Sequence, residues 1–210
     1  MPPMRLAEGV YKVDGVRAAN VYLVEIADGL LVVDTGMPGN AKRIVAFIES
    51  TGRRAAELRH IVLTHCDIDH IGSAAGLRKL TGAEVAIHEL DGPILAGEAR
   101  PQKGGPVMVA LSRLLRPSPV VPDIRLKDGD TIGGLRVVHV PGHTAGSLVL
   151  WREDGVVFSG DALLGDRHGQ VRWPRPRLAL DPVQARASAE RIRALPISLL
   201  CPGHGAPVHM

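Results

Sequence analysis

Ile61-Val62-Leu63-Thr64-His65-Cys66-Asp67-Ile68-Asp69-His70-Ile71-Gly72 is the stretch on which the reading of this chain turns. Ile61 to Leu63 is an apolar, β-branched run with the character of a buried strand. Four side chains able to bind a metal, His65, Asp67, Asp69 and His70, follow within six positions. On an extended segment residues two apart share a face, so His65 and Asp67 can reach one ion together. Asp69 and His70 are adjacent and must diverge, which suits a second ion beside the first. Gly72, Ser73, Ala74, Ala75 and Gly76 are small enough for a helix to open close against such a site. A lone histidine at a strand end is ordinarily structural, but four such groups in this register form a motif. Cys66 should point away from His65 and Asp67 and reads as a small buried residue.

Upstream of this stretch, Val10 to Val13, Val21 to Ile26 and Leu30 to Val33 are short apolar runs separated by Gly and Asp turns, a meander of strands. Asp34-Thr35-Gly36 ends the third run, and Asn40 to Ser50 has helical spacing through Ile44, Phe47 and Ile48. Downstream, a helix is expected over Gly72 to Leu80, a strand over Glu84 to His88 and a short helix over Leu90 to Gly97. Residues 98–123 change character, with Gly and Pro at both ends of a basic apolar segment, Val107 to Arg116. They read as a surface insertion carrying one helix, either a candidate lid or pocket wall or an ordinary amphipathic helix packed on the core, in a single domain that spans 1–210.

The second half repeats the same grammar. Thr131, Leu135 to Val140, Ser147 to Trp151 and Val156 to Phe158 are strands. Asp181 to Leu195 is a helix, with Asp181 as N-cap, Pro182 in first position and a face of Val183, Ala187, Ile192 and Leu195. Ile197 to Leu200 is a last strand. Three of these strands end in loops that carry metal-capable residues among small neighbours: Pro141-Gly142-His143-Thr144, Ser159-Gly160-Asp161-Ala162 and Pro202-Gly203-His204-Gly205. Small residues are expected where backbone crowds around an ion. His60, His88, His139, His168 and His209 read as structural.

The strand ending at Asp34, the His65-to-His70 motif and the His143, Asp161 and His204 loops, in that order, resemble the metallo-β-lactamase superfamily over essentially the whole chain. The resemblance implies an α+β fold, a four-layer αββα sandwich, with a dinuclear site at one edge. It implies two divalent metal ions, one held by His65, Asp67 and His143, the other by Asp69, His70 and His204, with Asp161 bridging and Asp34 orienting the site. It implies a metal-dependent hydrolase in which a metal-bridging hydroxide attacks an ester, thioester or lactone carbonyl, and in which Asp69 also accepts a hydrogen bond from the nucleophile. The family's usual motif has a second histidine where this chain has Asp67. A harder, more negative ligand set shifts preference from zinc towards iron or manganese.

Other readings follow from the same residues. His65, Asp67 and His143 are a two-histidine, one-carboxylate set, so a non-haem iron oxidoreductase resembling the persulfide dioxygenases is the alternative. Nucleic-acid processing is a third class. A net charge of +3 does not by itself argue for it. The chain resembles glyoxalase II in His70 and Asp161 but, ending at 210, leaves no room for that family's helical glutathione-binding region. The tyrosine that the family's lactonases place after the Asp161 loop is missing, since only Tyr11 and Tyr22 occur. Arg167, Arg172 and Trp173, in the arginine-rich run after Asp161, are candidate substrate-binding residues. If that loop is functional, the small-molecule substrate carries an acidic group.

Composition sets the outer limits. With 210 residues, 45% hydrophobic and 22% charged, this is an ordinary globular chain. No apolar run approaches the length of a membrane span, and Met1-Pro2-Pro3-Met4-Arg5 does not open a signal peptide. Two cysteines, Cys66 and Cys201, fit a reducing compartment, so a cytoplasmic location is expected, and an oligomer is left open.

Overall fold

Alternation along the strands decides the layering. The computed structural model describes residues 3–100 and 117–210. The first sheet is ordered β1 (Arg5–Ala7), β2 (Val10–Lys12), β3 (Tyr22–Ile26), β4 (Gly29–Val33), β5 (Leu58–Leu63), β6 (Glu84–His88) and β7 (Ile124–Leu126). In the second, β15 (Val208–His209), β14 (Leu199–Pro202), β11 (Val156–Gly160), β10 (Leu148–Trp151), β9 (Leu135–His139) and β8 (Thr131–Ile132) lie side by side. Leu31, Val33 and Val62 of the first sheet meet Leu148, Leu150, Val156, Phe158 and Leu199 of the second in one core. The intervening residues point outward: Leu30, Val32, Ile61 and Leu63 pack under α1 (Ala41–Ser50) and α3 (Ala74–Thr81). On the far side Val149, Val157 and Leu200 pack under α5 (Pro182–Arg193). Helix, sheet, sheet, helix is the four-layer αββα sandwich that the resemblance implied.

Both faces of the central strands are buried, so they read as continuous apolar runs rather than as alternating polar and apolar residues. Phe158 is fully buried and meets Tyr22 edge-on, ring centroids 5.5 Å apart. Truncating such a residue to alanine costs about 3–5 kcal/mol.

Strand direction gathers the functional loops. β4 and β5 are parallel, so the segments after Val33 and Leu63 leave the same edge. β11 and β14 are parallel, and β9 and β11 both oppose β10, so β9, β11 and β14 run the same way. The two edges are joined where the Leu148 amide donates to the Thr64 carbonyl, 2.9 Å.

The structure departs from the sequence reading in several places. The motif is not extended throughout: Ile68–Ile71 forms one helical turn, α2. α5 is capped as expected, the Asp181 carboxylate accepting from the Val183 and Gln184 amides, but it buries Ala185, Ser188, Ala189 and Ile192. Val183, in the second helical position, is 81% exposed and Ala187 is exposed too, since both lie off the face that those four residues bury. β1, β7, β15 and the hairpin of β12 (Leu164–Gly165) and β13 (Val171–Arg172) were not expected from sequence; each is two or three residues long, too short to carry a period. α4 (Gly92–Leu95) falls where the short helix was expected. Most of the expected insertion at 98–123, residues 101–116, lies outside the described residues. Among the described residues, no helix is long and apolar enough to cross a membrane.

Candidate metal centre

The helical turn of α2 changes how the motif reaches its target. Successive side chains diverge by about 100° on a helix rather than by about 180° as on a strand. Asp69 and His70 can therefore serve one point together. They form one compact group with His204, and His65, Asp67 and His143 form another. A third group, His65, His70 and Asp161, links the two.

Across the first group His143 Nε2 lies 3.0 Å and His65 Nε2 3.5 Å from Asp67 Oδ2. Across the second His204 Nε2 lies 3.2 Å from Asp69 Oδ2. Asp161 stands between them. Its Oδ1 is 3.4 Å from His70 Nε2 and 3.5 Å from His204 Nε2, and its Oδ2 is 3.6 Å from His143 Nε2. Gly203 must be glycine for this approach, since a Cβ there would sit 2.7 Å from both Asp161 Oδ1 and His70 Cε1.

Three polar atoms in this cluster, His65 Nε2, His70 Nε2 and Asp161 Oδ1, are buried with no hydrogen-bond partner among the described residues. Leaving such groups unpaired is costly, and all three converge on one small volume, so the donor set fits metal ions held between them. The other ring nitrogens are spoken for. Asp34 Oδ2 lies 2.8 Å from His70 Nδ1, and Thr64 Oγ1 lies 3.0 Å from His65 Nδ1 and 2.9 Å from Asp34 Oδ2. The Thr64 amide also donates to Asp34 Oδ1, 2.8 Å. One buried carboxylate thereby sets the imidazoles of both groups, with Nε2 facing inward. Asp34 adopts φ +60°, a left-handed conformation that Asp and Asn tolerate better than other residues bearing a Cβ.

Electrostatics follow from the crowding. Burial opposes ionisation of Asp161, but the imidazoles of His70, His65 and His204 outweigh it and hold its pKa far below the usual carboxylate range. Burial likewise opposes a charge on His70, and Asp34 and Asp161 outweigh it and raise its pKa well above the ordinary value. Asp69 is shifted down by His204 and His70 against the cost of its burial. His65, His70 and His143 are buried, whereas Asp67, Asp69 and His204 are partly exposed and form the open side.

Several residues that hold the centre were not singled out from sequence. Asn20 Nδ2 donates to the Pro202 and Gly205 carbonyls, 2.9 and 2.8 Å, and Tyr22 Oη donates to Pro202, 2.7 Å, so two strand-meander residues pin the His204 loop. The α5 entry pins the His143 loop: the Leu180 and Asp181 amides donate to the His143 and Gly142 carbonyls. These contacts span up to 185 residues of chain, and no local pattern announces them.

The substrate-binding candidates sit in the β12–β13 hairpin and beyond it. Arg172 pairs with Asp166 at 3.0 Å, and Arg167 Nε lies 3.0 Å from His168 Nε2. Trp173 packs against α5 with the guanidinium of Arg186 3.3 Å above its ring. Cys66 is buried as expected, and His88 and His139 stack on each other with centroids 4.0 Å apart.

Comparison with known proteins agrees with this fold. The metallo-beta-lactamase superfamily model matches residues 14–204. The chain belongs to that superfamily. Among similar proteins, the uncharacterized protein YobT of Bacillus subtilis (strain 168) is 33% identical over 195 residues, 89% of this chain and 82% of that one. The probable metallo-hydrolase YflN of the same organism is 27% identical over 231 residues, 96% of this chain and 86% of YflN. Among solved structures, TTHA1623 in a di-iron-bound form superposes with a TM-score of 0.72 at 32% identity, covering 91% of this chain and 89% of that one.

Proposed function

We propose that this metallo-beta-lactamase superfamily member is a dinuclear metal-dependent hydrolase acting on carbonyl substrates, namely esters, thioesters or lactones. The observation that carries the reading is Asp161, whose two carboxylate oxygens face two separate groups of three donors each. One ion would be held by His65, Asp67 and His143, the other by Asp69, His70 and His204, with Asp161 shared. When bound, two such ions supply Lewis acidity towards a carbonyl oxygen and bring the pKa of a water between them towards neutrality.

The protein's residues set up that chemistry. Asp34 accepts the Nδ1 proton of His70, which leaves the Nε2 lone pair directed inward. Thr64 does the same for His65 and passes the interaction on to Asp34. Asp69 stands on the open side, and against the cost of burial His204 and His70 hold it ionised, so its carboxylate can accept a hydrogen bond from the attacking water while it also helps to hold an ion. Asp67, Asp69 and Asp161 place three carboxylates against two divalent ions, which leaves a formal charge of about +1. That is a harder site than one with imidazole at 67 and supports iron or manganese alongside zinc. The exposed Arg172, paired with Asp166 at 3.0 Å, could turn to a substrate carrying an acidic group, with Arg167 and Trp173 on the same segment.

A second reading is a mononuclear iron oxidoreductase built on His65, Asp67 and His143, a two-histidine, one-carboxylate set gathered within one group. Metal content per chain separates the two, measured by mass spectrometry on protein purified without chelators. Two equivalents together with hydrolysis of lactones, thioesters or acidic esters is the expected result. One equivalent of iron with oxygen uptake would move the assignment to the oxidoreductase, and no retained metal would refute both.

A further inference from the structure

We propose that Asp91 is a positioning residue for the His65–Asp67–His143 group. In this reading its carboxylate clamps the two loops that carry those ligands and so sets the affinity for the ion held there. The inference rests on the hydrolase reading to the extent that this group holds a metal.

Asp91 follows β6 as the N-cap residue of α4, outside every motif above, and is fully buried. Its Oδ2 accepts from the Cys66 amide at 3.0 Å and from Thr144 Oγ1 at 2.7 Å, and its Oδ1 accepts from the Gly146 amide at 2.9 Å. Cys66 lies between His65 and Asp67, and Thr144 directly follows His143. All three donors therefore belong to the two segments that supply the first group. Gly146 approaches so closely that a Cβ there would lie 2.7 Å from Asp91 Cγ. Ser147 Oγ accepts from the Thr144 amide at 2.9 Å and lies 2.8 Å from Thr144 Oγ1, fixing the hydroxyl that meets Asp91.

A buried carboxylate is costly unless it is hydrogen-bonded, and this one spends both oxygens on joining two loops that β5 and β9 deliver from different sheets. Where it holds them, His143 Nε2 stands 3.0 Å from Asp67 Oδ2. The second group is held by other hands: Asp34 at His70, and Asn20 and Tyr22 at the His204 loop. Asp91 should therefore act on one ion and not on the other.

Asp91→Asn keeps the volume but turns one acceptor into a donor facing a donor, so one of the three anchors fails. The test titrates metal-free protein with cobalt(II) in competition with a chelator and reads the two binding constants. The expected result is a 10- to 100-fold loss in one constant, roughly the range found when groups that orient ligands are removed, with the other within about threefold of wild type. Backgrounds locate the loss. Added to His204→Ala, which leaves the first group intact, Asp91→Asn should weaken the remaining ion 10- to 100-fold, roughly as before. Added to His143→Ala it should leave the remaining ion unchanged. Thr144→Val should reproduce a smaller loss and Thr144→Ser restore it, which keeps the test intact if Asp91→Asn fails to fold.

Equal losses in both constants, together with a lower melting temperature of the metal-free protein, would overturn the assignment in favour of a general structural role. Unchanged constants would overturn it outright. A wild-type chain that binds two ions while Asp91→Asn shows either of those results refutes this inference alone. A wild-type chain that binds none refutes the hydrolase reading and takes this inference with it.

Discussion

Asp34→Asn is the substitution that probes the centre most directly. Asparagine tolerates the left-handed backbone at φ +60° nearly as well as aspartate, so the change is read at the side chain alone. Its carboxamide oxygen can keep the hydrogen bond from the Thr64 amide, 2.8 Å in the native chain. The NH₂ then takes the place of Oδ2, 2.8 Å from His70 Nδ1, and must donate where the native group accepts. His70 answers by moving its proton to Nε2, the atom that is buried and unpartnered at the centre. An ion bound by Asp69, His70 and His204 then has to displace that proton. The expected loss is 10- to 100-fold in affinity for that ion, about 1.4–2.7 kcal/mol, with a smaller loss at His65, which is reached through Thr64. Global stability should fall by about 1–3 kcal/mol, the cost of one mismatched buried contact. The assay is chelator competition with the metal-free protein, with thermal melts alongside. Two wild-type binding constants in Asp34→Asn would refute the argument, because the Nδ1 contact would then not be setting the tautomer.

Four further outcomes are expected. Asp161→Asn removes the shared carboxylate and should abolish retention of one ion on dialysis and lower kcat by at least about 100-fold; activity near wild type would exclude a shared role. Asp67→His should move metal preference towards zinc, read as the ratio of zinc to iron taken up from an equimolar mixture, and an unchanged ratio would sink the hardness argument. Trp173→Ala should lower stability by about 1–3 kcal/mol through lost packing on α5, whereas Arg172→Ala should cost less than about 1 kcal/mol and raise KM for anionic but not neutral esters. Equal KM changes for both ester classes would count against an acidic substrate.

The metal-free protein should also show an inverted pH response. His70 has a folded pKa raised above 6.5, so its stabilisation is complete below about 6.5 and is lost as pH rises through the folded value. Asp161 has a folded pKa depressed below 3.8, so its stabilisation is complete above about 3.8 and is lost as pH falls through the folded value. Urea melts of chelated protein should therefore give greatest stability between about pH 4 and 6.5 and a decline at higher pH as His70 loses its proton. Stability rising steadily from pH 5 to 8 would refute this.

The longer strands, the longer helices and the seven clustered donors were legible because each is written locally. Leu30 to Val33 and Ile61 to Leu63 are apolar without a break, the Asp181-Pro182 pair marks a helix start, and every donor follows a strand within a few residues. The face of α5 was misread, since Val183 has the hydropathy of a core residue but lies off the face of Ala185, Ser188, Ala189 and Ile192 that packs on the sheet. Sequence by itself determined which residues can bind a metal and that they lie at strand ends, because hydrogen-bonding ladders and side-chain periodicity are properties of short segments. Tertiary structure alone decided that α2 lets Asp69 and His70 serve one point and that Asp161 turns one oxygen to each group. It also decided that Asn20, Tyr22, Thr64 and Asp91 hold the loops. These contacts close over long stretches of chain, and their energy exists only once the two sheets have packed and excluded water from the edge where the loops meet.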